Sequence, residues 1–184
     1  TCMVRILNQM GAQVKYINKH TLEINTRTVN SYIIPHEMTK QLRASYYLIG
    51  ALLGRMGKAH VPPPGGCNFG TRPIDQHIKG FESLGCKVDI RNGIIEADGA
   101  NLRGGQVYLD VVSVGATINI MLAAVKAEGN TTIFNCAKEP HVIDVANFLN
   151  NMGAKIKGAG TDVIKIKGVK HLRSCNYTLI PDQI

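Results

Sequence analysis

The sequence predicts an α/β domain assembled from pseudo-symmetric repeats, two full units and the tail of a first. Three observations lead there. A helical pattern stops three times at Leu or Met followed by Gly: Met10-Gly11, Leu84-Gly85 and Met152-Gly153. After each stop come a short strand, a polar turn and a second strand. Upstream of the last two stops the same series recurs: apolar helix, glycine, strand, cysteine, proline, helix.

Each element has a local reason. Gly after the last helical residue can take the left-handed conformation that ends a helix. The hairpin Lys87 to Glu96 turns at Arg91-Asn92-Gly93, and Asn-Gly is a strong two-residue turn signal. The hairpin Lys155 to Lys167 turns around Gly158-Ala159-Gly160. Arg43 to Arg55 and Gly115 to Ala127 are apolar at helical spacing. They lead to strands at Ala59 to Val61 and Thr131 to Phe134, then to Cys67 and Cys136. Pro73 and Pro140 suit the first turn of the helices that follow, to Leu84 and Met152. A strand is expected at Gln106 to Leu109 and another at Tyr177 to Ile180. The repeats fall at about 1–40, 41–110 and 111–184. Units of roughly 70 residues are too long for a solenoid, so they are expected to pack around one core.

Composition narrows the class. The chain has 184 residues, 45% hydrophobic, which suits one packed domain. The net charge of +8 points to an anionic partner, such as a phosphorylated metabolite, a nucleotide or a nucleic acid. Aromatics are only 5%, and the lysines at 155, 157, 165, 167 and 170 lack interleaved rings. They read as a solvated face and argue against nucleic acid. The five cysteines include no CxxC pair, which argues against disulfides and zinc and for a reducing cytoplasm. No histidine has metal-ligand spacing, and His77 is expected on a helix surface. No cofactor is implied. Apolar runs such as Tyr46 to Leu53 are too short for a membrane span. Both ends read as cut, as if the chain were part of a longer protein.

The chemistry concentrates between Pro62 and Pro73. There Gly65-Gly66-Cys67 and Gly70 precede Arg72 where a helix begins. A thiol is a nucleophile when ionised and a general acid when protonated. Arg72 at a helix N-terminus can hold a phosphate or carboxylate. The alternative is a turn with an incidental buried cysteine. Asp75 fits the first turn of that helix. Ser113 is a plausible N-cap of the second apolar helix, and Arg43 stands where a cation opposes the helix dipole.

Together these residues resemble the UDP-N-acetylglucosamine enolpyruvyl transferases, the 1-carboxyvinyltransferases of bacterial peptidoglycan synthesis. The resemblance runs from Thr1 to Ile184 and is carried by Leu42-Arg43-Ala44-Ser45, Pro64-Gly65-Gly66-Cys67, Arg72-Pro73-Ile74-Asp75, Val112 to Thr117, Asn135 to Pro140 and Ile180-Pro181-Asp182. It implies an inside-out α/β barrel, with this chain as most of one of two similar domains. It implies phosphoenolpyruvate and UDP-N-acetylglucosamine as substrates and a second domain of the same protein as partner. By position, Cys67 matches the general acid, which can also form a covalent adduct and is alkylated by fosfomycin. Arg72 matches a phosphoenolpyruvate contact. Arg43, Arg72, Pro73, Ile74, Asp75, Gln76, Val111, Val112, Ser113 and Val114 match contacts to the nucleotide sugar. Val111 departs from the many members that have Lys or Pro there. Asp182 matches a structural position at the domain crossover. The sister enzyme acting on shikimate 3-phosphate needs no loop cysteine. A paralogue that has lost catalysis and binds the nucleotide sugar as a regulator is the alternative reading.

Overall fold

The computed structural model describes residues 2–39, 42–63 and 74–181. First in the chain come helix α1 (Cys2–Gln9), the hairpin β1 (Gln13–Asn18) and β2 (Thr21–Asn25), and the short helix α2 (His36–Thr39). Next come a 3₁₀ turn at Arg43–Tyr46, α3 (Tyr47–Met56), β3 (Lys58–Val61), α4 (Asp75–Ser83), β4 (Lys87–Arg91) and β5 (Ile94–Asp98). Then come β6 (Gln106–Tyr108), α5 (Val114–Ala124), β7 (Asn130–Phe134), α6 (Pro140–Asn151), β8 (Lys155–Lys157) and β9 (Val163–Lys167).

The helix stops recur in the structure. Gly11, Gly85 and Gly153 all have left-handed φ, between 83° and 99°, as the three helix stops require. Asn92 and Gly93 both have positive φ, the signature of a two-residue hairpin turn. The second sheet runs β3-β5-β4 and the third β6-β7-β9-β8. A parallel bridge from Ile33 to His60 on β3 stands where β6 pairs with β7. Each of these two sheets therefore begins with a segment that precedes its own apolar helix, α3 or α5 in turn.

Helices lie inside and sheets outside. In α5 eight of eleven residues are buried, from Ala116 to Ala124, so it is apolar nearly all round and sits at the centre. The strands alternate, with Ala59, Val61, Ile95 and Ala97 inward in one sheet and Ile133, Ile156, Ile164 and Ile166 inward in the other. Close helix approach depends on glycine. A Cβ on Gly50 would lie 2.1 Å from the Asn119 carbonyl oxygen, and one on Gly80 would lie 2.2 Å from Ile120 Cδ1. These contacts seat α3 and α4 against α5.

Three sequence expectations need correction. The helix expected over Arg43 to Arg55 is divided, a 3₁₀ turn passing into α-helix at Tyr47. The Asn119 carboxamide explains the division. It donates to the Tyr46 carbonyl oxygen at 2.7 Å and accepts from the Gly50 N–H at 2.7 Å, the pair an unbroken α-helix would join directly. No strand forms at Tyr177 to Ile180. Instead, Tyr177 donates its hydroxyl to the Asp144 carboxylate at 2.7 Å and tilts its ring against Phe148. His77 is half-buried rather than on the surface.

Candidate active site

Three stretches of chain meet at one cleft: the 3₁₀ turn, α4 and the N-terminus of α5. The cleft has a volume of about 430 Å³ and is lined by Arg43, Ala44, Tyr46, Tyr47, His77, Val114 and Gly115.

The N-terminus of α5 is built as the sequence predicts. Ser113 is the N-cap, extended in backbone, and its Oγ accepts the Ala116 N–H at 3.3 Å. Its carbonyl accepts the Thr117 N–H at 2.9 Å and the Thr117 hydroxyl at 2.7 Å. The opening amides of Val114 and Gly115 have no acceptor within the helix, and both residues line the cleft. Val111 and Val112, 60% and 57% exposed, project from the loop before the cap.

His77 is the residue that sequence reasoning misplaced. The Gly50 N–H can only donate, so it fixes the Asn119 carboxamide with Oδ1 toward Gly50 and Nδ2 toward Tyr46. That same Nδ2 lies 3.1 Å from His77 Nδ1, which must therefore accept. The imidazole proton sits on Nε2, which faces Gly115 so closely that a Cβ there would stand 3.2 Å away. Burial pushes the His77 pKa down to about 4, against the opposing pull of Asp75. At neutral pH His77 is an uncharged N–H donor packed against the start of α5.

The charge around the cleft suits an anion. Arg43 is exposed at its mouth. The α5 N-terminus adds the positive end of a helix dipole. Burial raises the pKa of Tyr46 and of Tyr47, more than Arg43 lowers it, so both hydroxyls stay protonated.

Gln76 is buried and ties α4 to the loop before α5. Its Nε2 donates to Asp75 Oδ2 and Asp110 Oδ2, both at 3.1 Å, and its Oε1 accepts the Asp110 N–H at 2.8 Å. Lys79 adds an ion pair to Asp110 at 2.5 Å. The hydrogen bonds of Lys79 and Gln76 hold the Asp110 carboxyl below its ordinary pKa. This clasp fixes Val111 to Ser113 relative to α4. Ile74 precedes α4 without a side-chain cap, and Asp75 is exposed in the first turn.

The structure thus brings Arg43, Val114 and His77 to one cleft and links Asp75 and Gln76 to its rim. Cys67, Arg72, Pro73 and Asp182 lie outside the described residues. The described chain runs past β3 to Pro63, whose carbonyl accepts the Thr39 hydroxyl at 3.2 Å, and resumes at Ile74. Among the described residues there is no group of three or more His, Cys, Asp or Glu that could hold a metal. No helix among them is long and apolar enough to cross a membrane.

Comparison with known proteins shows the family and the fold. A family model described as EPSP synthase (3-phosphoshikimate 1-carboxyvinyltransferase) matches residues 1–184. The UDP-N-acetylglucosamine 1-carboxyvinyltransferase 3 of Caldanaerobacter subterraneus subsp. tengcongensis is 59% identical over 182 residues, 99% of this chain and 43% of its own length. The UDP-N-acetylglucosamine 1-carboxyvinyltransferase 2 of Clostridium acetobutylicum is 60% identical over 180 residues, 98% of this chain and 43% of its own. The chain therefore spans less than half the length of these relatives. Among solved structures, the enolpyruvyl transferase NikO from Streptomyces tendae superposes with a TM-score of 0.82 at 23% identity, over 98% of this chain and 43% of that one. EPSP synthase from Acinetobacter baumannii gives 0.72 at 19% identity, over 94% and 39%. These likenesses show the fold to be the inside-out α/β type that the sequence resemblance implied. The chain belongs to the EPSP synthase (3-phosphoshikimate 1-carboxyvinyltransferase) family.

Proposed function

We propose that the full-length protein carrying this chain transfers the enolpyruvyl group of phosphoenolpyruvate to the 3′-hydroxyl of UDP-N-acetylglucosamine and releases phosphate. The observation that carries this reading is the identity of 59% and 60%, over nearly the whole chain, to relatives named for that acceptor. The Arg43–His77–α5 cleft supports it, because an arginine, a neutral N–H donor and a helix N-terminus together suit a diphosphate.

In this reading Cys67 gives its thiol proton to the methylene carbon of phosphoenolpyruvate. The carbon bearing the phosphate oxygen becomes an oxocarbenium-like centre. The 3′-hydroxyl attacks it and surrenders its proton to a base of the second domain. Loss of phosphate and of a proton from the new methyl group restores the double bond. A positioned general acid contributes on the order of 10²–10⁴-fold. Arg72 holds the phosphate of phosphoenolpyruvate. Arg43, Pro73 to Gln76 and Val111 to Val114 hold the nucleotide sugar, Gln76 acting through Asp110 and the loop.

Phosphate release by the full-length protein tests the reading. Turnover is expected with phosphoenolpyruvate and UDP-N-acetylglucosamine together, and none from the 184-residue chain alone. Turnover with shikimate 3-phosphate in place of the nucleotide sugar overturns the acceptor. Binding of UDP-N-acetylglucosamine without any turnover favours a regulatory paralogue. Fosfomycin labelling is expected to disappear in Cys67→Ser, and undiminished labelling removes Cys67 from its role.

A further inference from the structure

The two outer sheet faces share one register but carry opposite charge patterns. In the second sheet Lys58 and Lys87 flank Asp98, and His60 and Asp89 flank Glu96. Side chains there pair as Lys58–Asp98, His60–Glu96 and Arg91–Asp89. In the third sheet the row of Asp98 becomes Asn130, Lys167 and Lys155, and the row of Glu96 becomes Thr132, Lys165 and Lys157. The three acidic positions Asp89, Glu96 and Asp98 are all replaced by lysine. All four lysines of the third sheet are exposed, and none has an ion-pair partner among the described residues.

This arrangement opposes like charges directly, Lys155 to Lys167 and Lys157 to Lys165, which is unfavourable in a sheet. Edge protection does not explain it. Lys165 and Lys167 are on β9, an interior strand. The edge strand β8 is already blocked, because the Asn150 carboxamide donates to the Ile156 carbonyl at 2.9 Å and accepts its N–H at 2.8 Å. A partner cannot add a strand there and must lie across the face. A shallow hollow of about 330 Å³ runs between the lysines and Asn130 to Thr132. Beyond it Tyr108 and Phe134 stack, with ring centroids 4.4 Å apart and planes within 3°.

The geometry points to this face as a docking surface for an acidic segment of another protein, extended, with carboxylates at alternate positions. Lysines two apart on one strand repeat every ~7 Å, and their cross-strand neighbours stand ~5 Å away. Alternate carboxylates of an extended chain have the same ~7 Å repeat. The second sheet displays the complement within this molecule: Glu96 and Asp98, two apart on β5, each beside a basic partner. The stacked rings give such a segment an apolar end stop. The surface is separate from the cleft, since none of its residues lines it.

The test uses the full-length protein and a fluorescein-labelled twelve-residue peptide of alternating glutamate and threonine, read by anisotropy at low salt. Saturable binding is expected, weakened by added salt. The variant K155Q/K157Q/K165Q/K167Q should lose at least ten-fold in affinity, with its enolpyruvyl transfer rate and circular dichroism unchanged. The variant K58Q/K87Q should bind as the parent does. Equal binding by the fourfold variant, or no saturable binding by the parent, overturns the proposal. It is also overturned if phosphatidylserine vesicles or a dT oligonucleotide bind in a lysine-dependent way while the peptide does not. Failure of transfer activity in the parent bears on the proposed reaction and leaves the peptide result to be read by itself.

Discussion

Replacing Asn119 by leucine removes a carboxamide that two backbone groups depend on. The side chain is wholly buried, and leucine keeps its branching and heavy-atom count while replacing both polar atoms by methyl groups. The Gly50 N–H and the Tyr46 carbonyl each lose a 2.7 Å partner, and the half-buried His77 Nδ1 loses its donor at 3.1 Å. A buried polar group left unsatisfied costs about 1–3 kcal/mol, so the two backbone groups cost roughly 2–6 kcal/mol. Relaxation of the 3₁₀ turn toward α-helix recovers part of this, and we expect a net loss of about 2–4 kcal/mol. Urea unfolding of the 184-residue chain at micromolar concentration, followed by circular dichroism, measures it. Hydrogen exchange at the Gly50 amide should accelerate more than at Leu53. A loss below ~1 kcal/mol with slow Gly50 exchange would refute the reasoning, because the two groups would then have bonded to each other without help.

His77 makes stability pH-dependent. Above pH 6.5 both states hold it neutral, but below that the unfolded chain takes a proton that the folded chain refuses until about pH 4. Stability should therefore fall by up to about 3 kcal/mol from pH 6.5 to 4, and His77→Asn should flatten this slope by about one proton. Burial pushes Cys86 up to about 12 and Cys136 up to about 11, so neither should alkylate at pH 7 in the folded chain. Mass spectrometry after iodoacetamide checks this, and labelling of Cys86 or Cys136 before unfolding contradicts it. Tyr16, Ile17, Leu22 and Ile24 are 42–57% exposed on a hairpin that pairs with no third strand among the described residues. The 184-residue chain should self-associate with rising concentration in sedimentation velocity, and Leu22→Lys with Ile24→Lys should suppress this. An unchanged distribution in that variant would point to another surface.

Local chemistry was legible in the sequence. Gly11, Gly85 and Gly153, the Asn92-Gly93 turn, the Ser113 cap and Pro140 at the start of α6 depend on neighbours a few residues away, and each is present. What escaped depends on distant partners. The break at Tyr46 comes from Asn119, 73 residues on, and nothing near Tyr46 announces it. His77 looked like a surface residue because its burial comes from the 3₁₀ turn and α5, not from α4's own pattern. The strand expected at Tyr177 to Ile180 has suitable residues but no neighbour to pair with among the described ones. The lysines of the last hairpin read as a solvated face and are exposed, but only register places them opposite one another. For Cys67 and Arg72 the sequence remains the sole source.

The strand that opens each sheet has a consequence for folding. Residues Tyr32 to Ile34 are joined to β3 across α3, and β6 is joined to β7 across α5. A cut between Asp110 and Val111, where the sequence pattern suggests a repeat boundary, would strip the third sheet of its first strand. It would also release Val111 to Ser113 from Asp110, the residue through which Gln76 and Lys79 hold that loop. The repeats are therefore links in a chain rather than beads on a string. They should melt in a single transition, and neither should survive as a free-standing module.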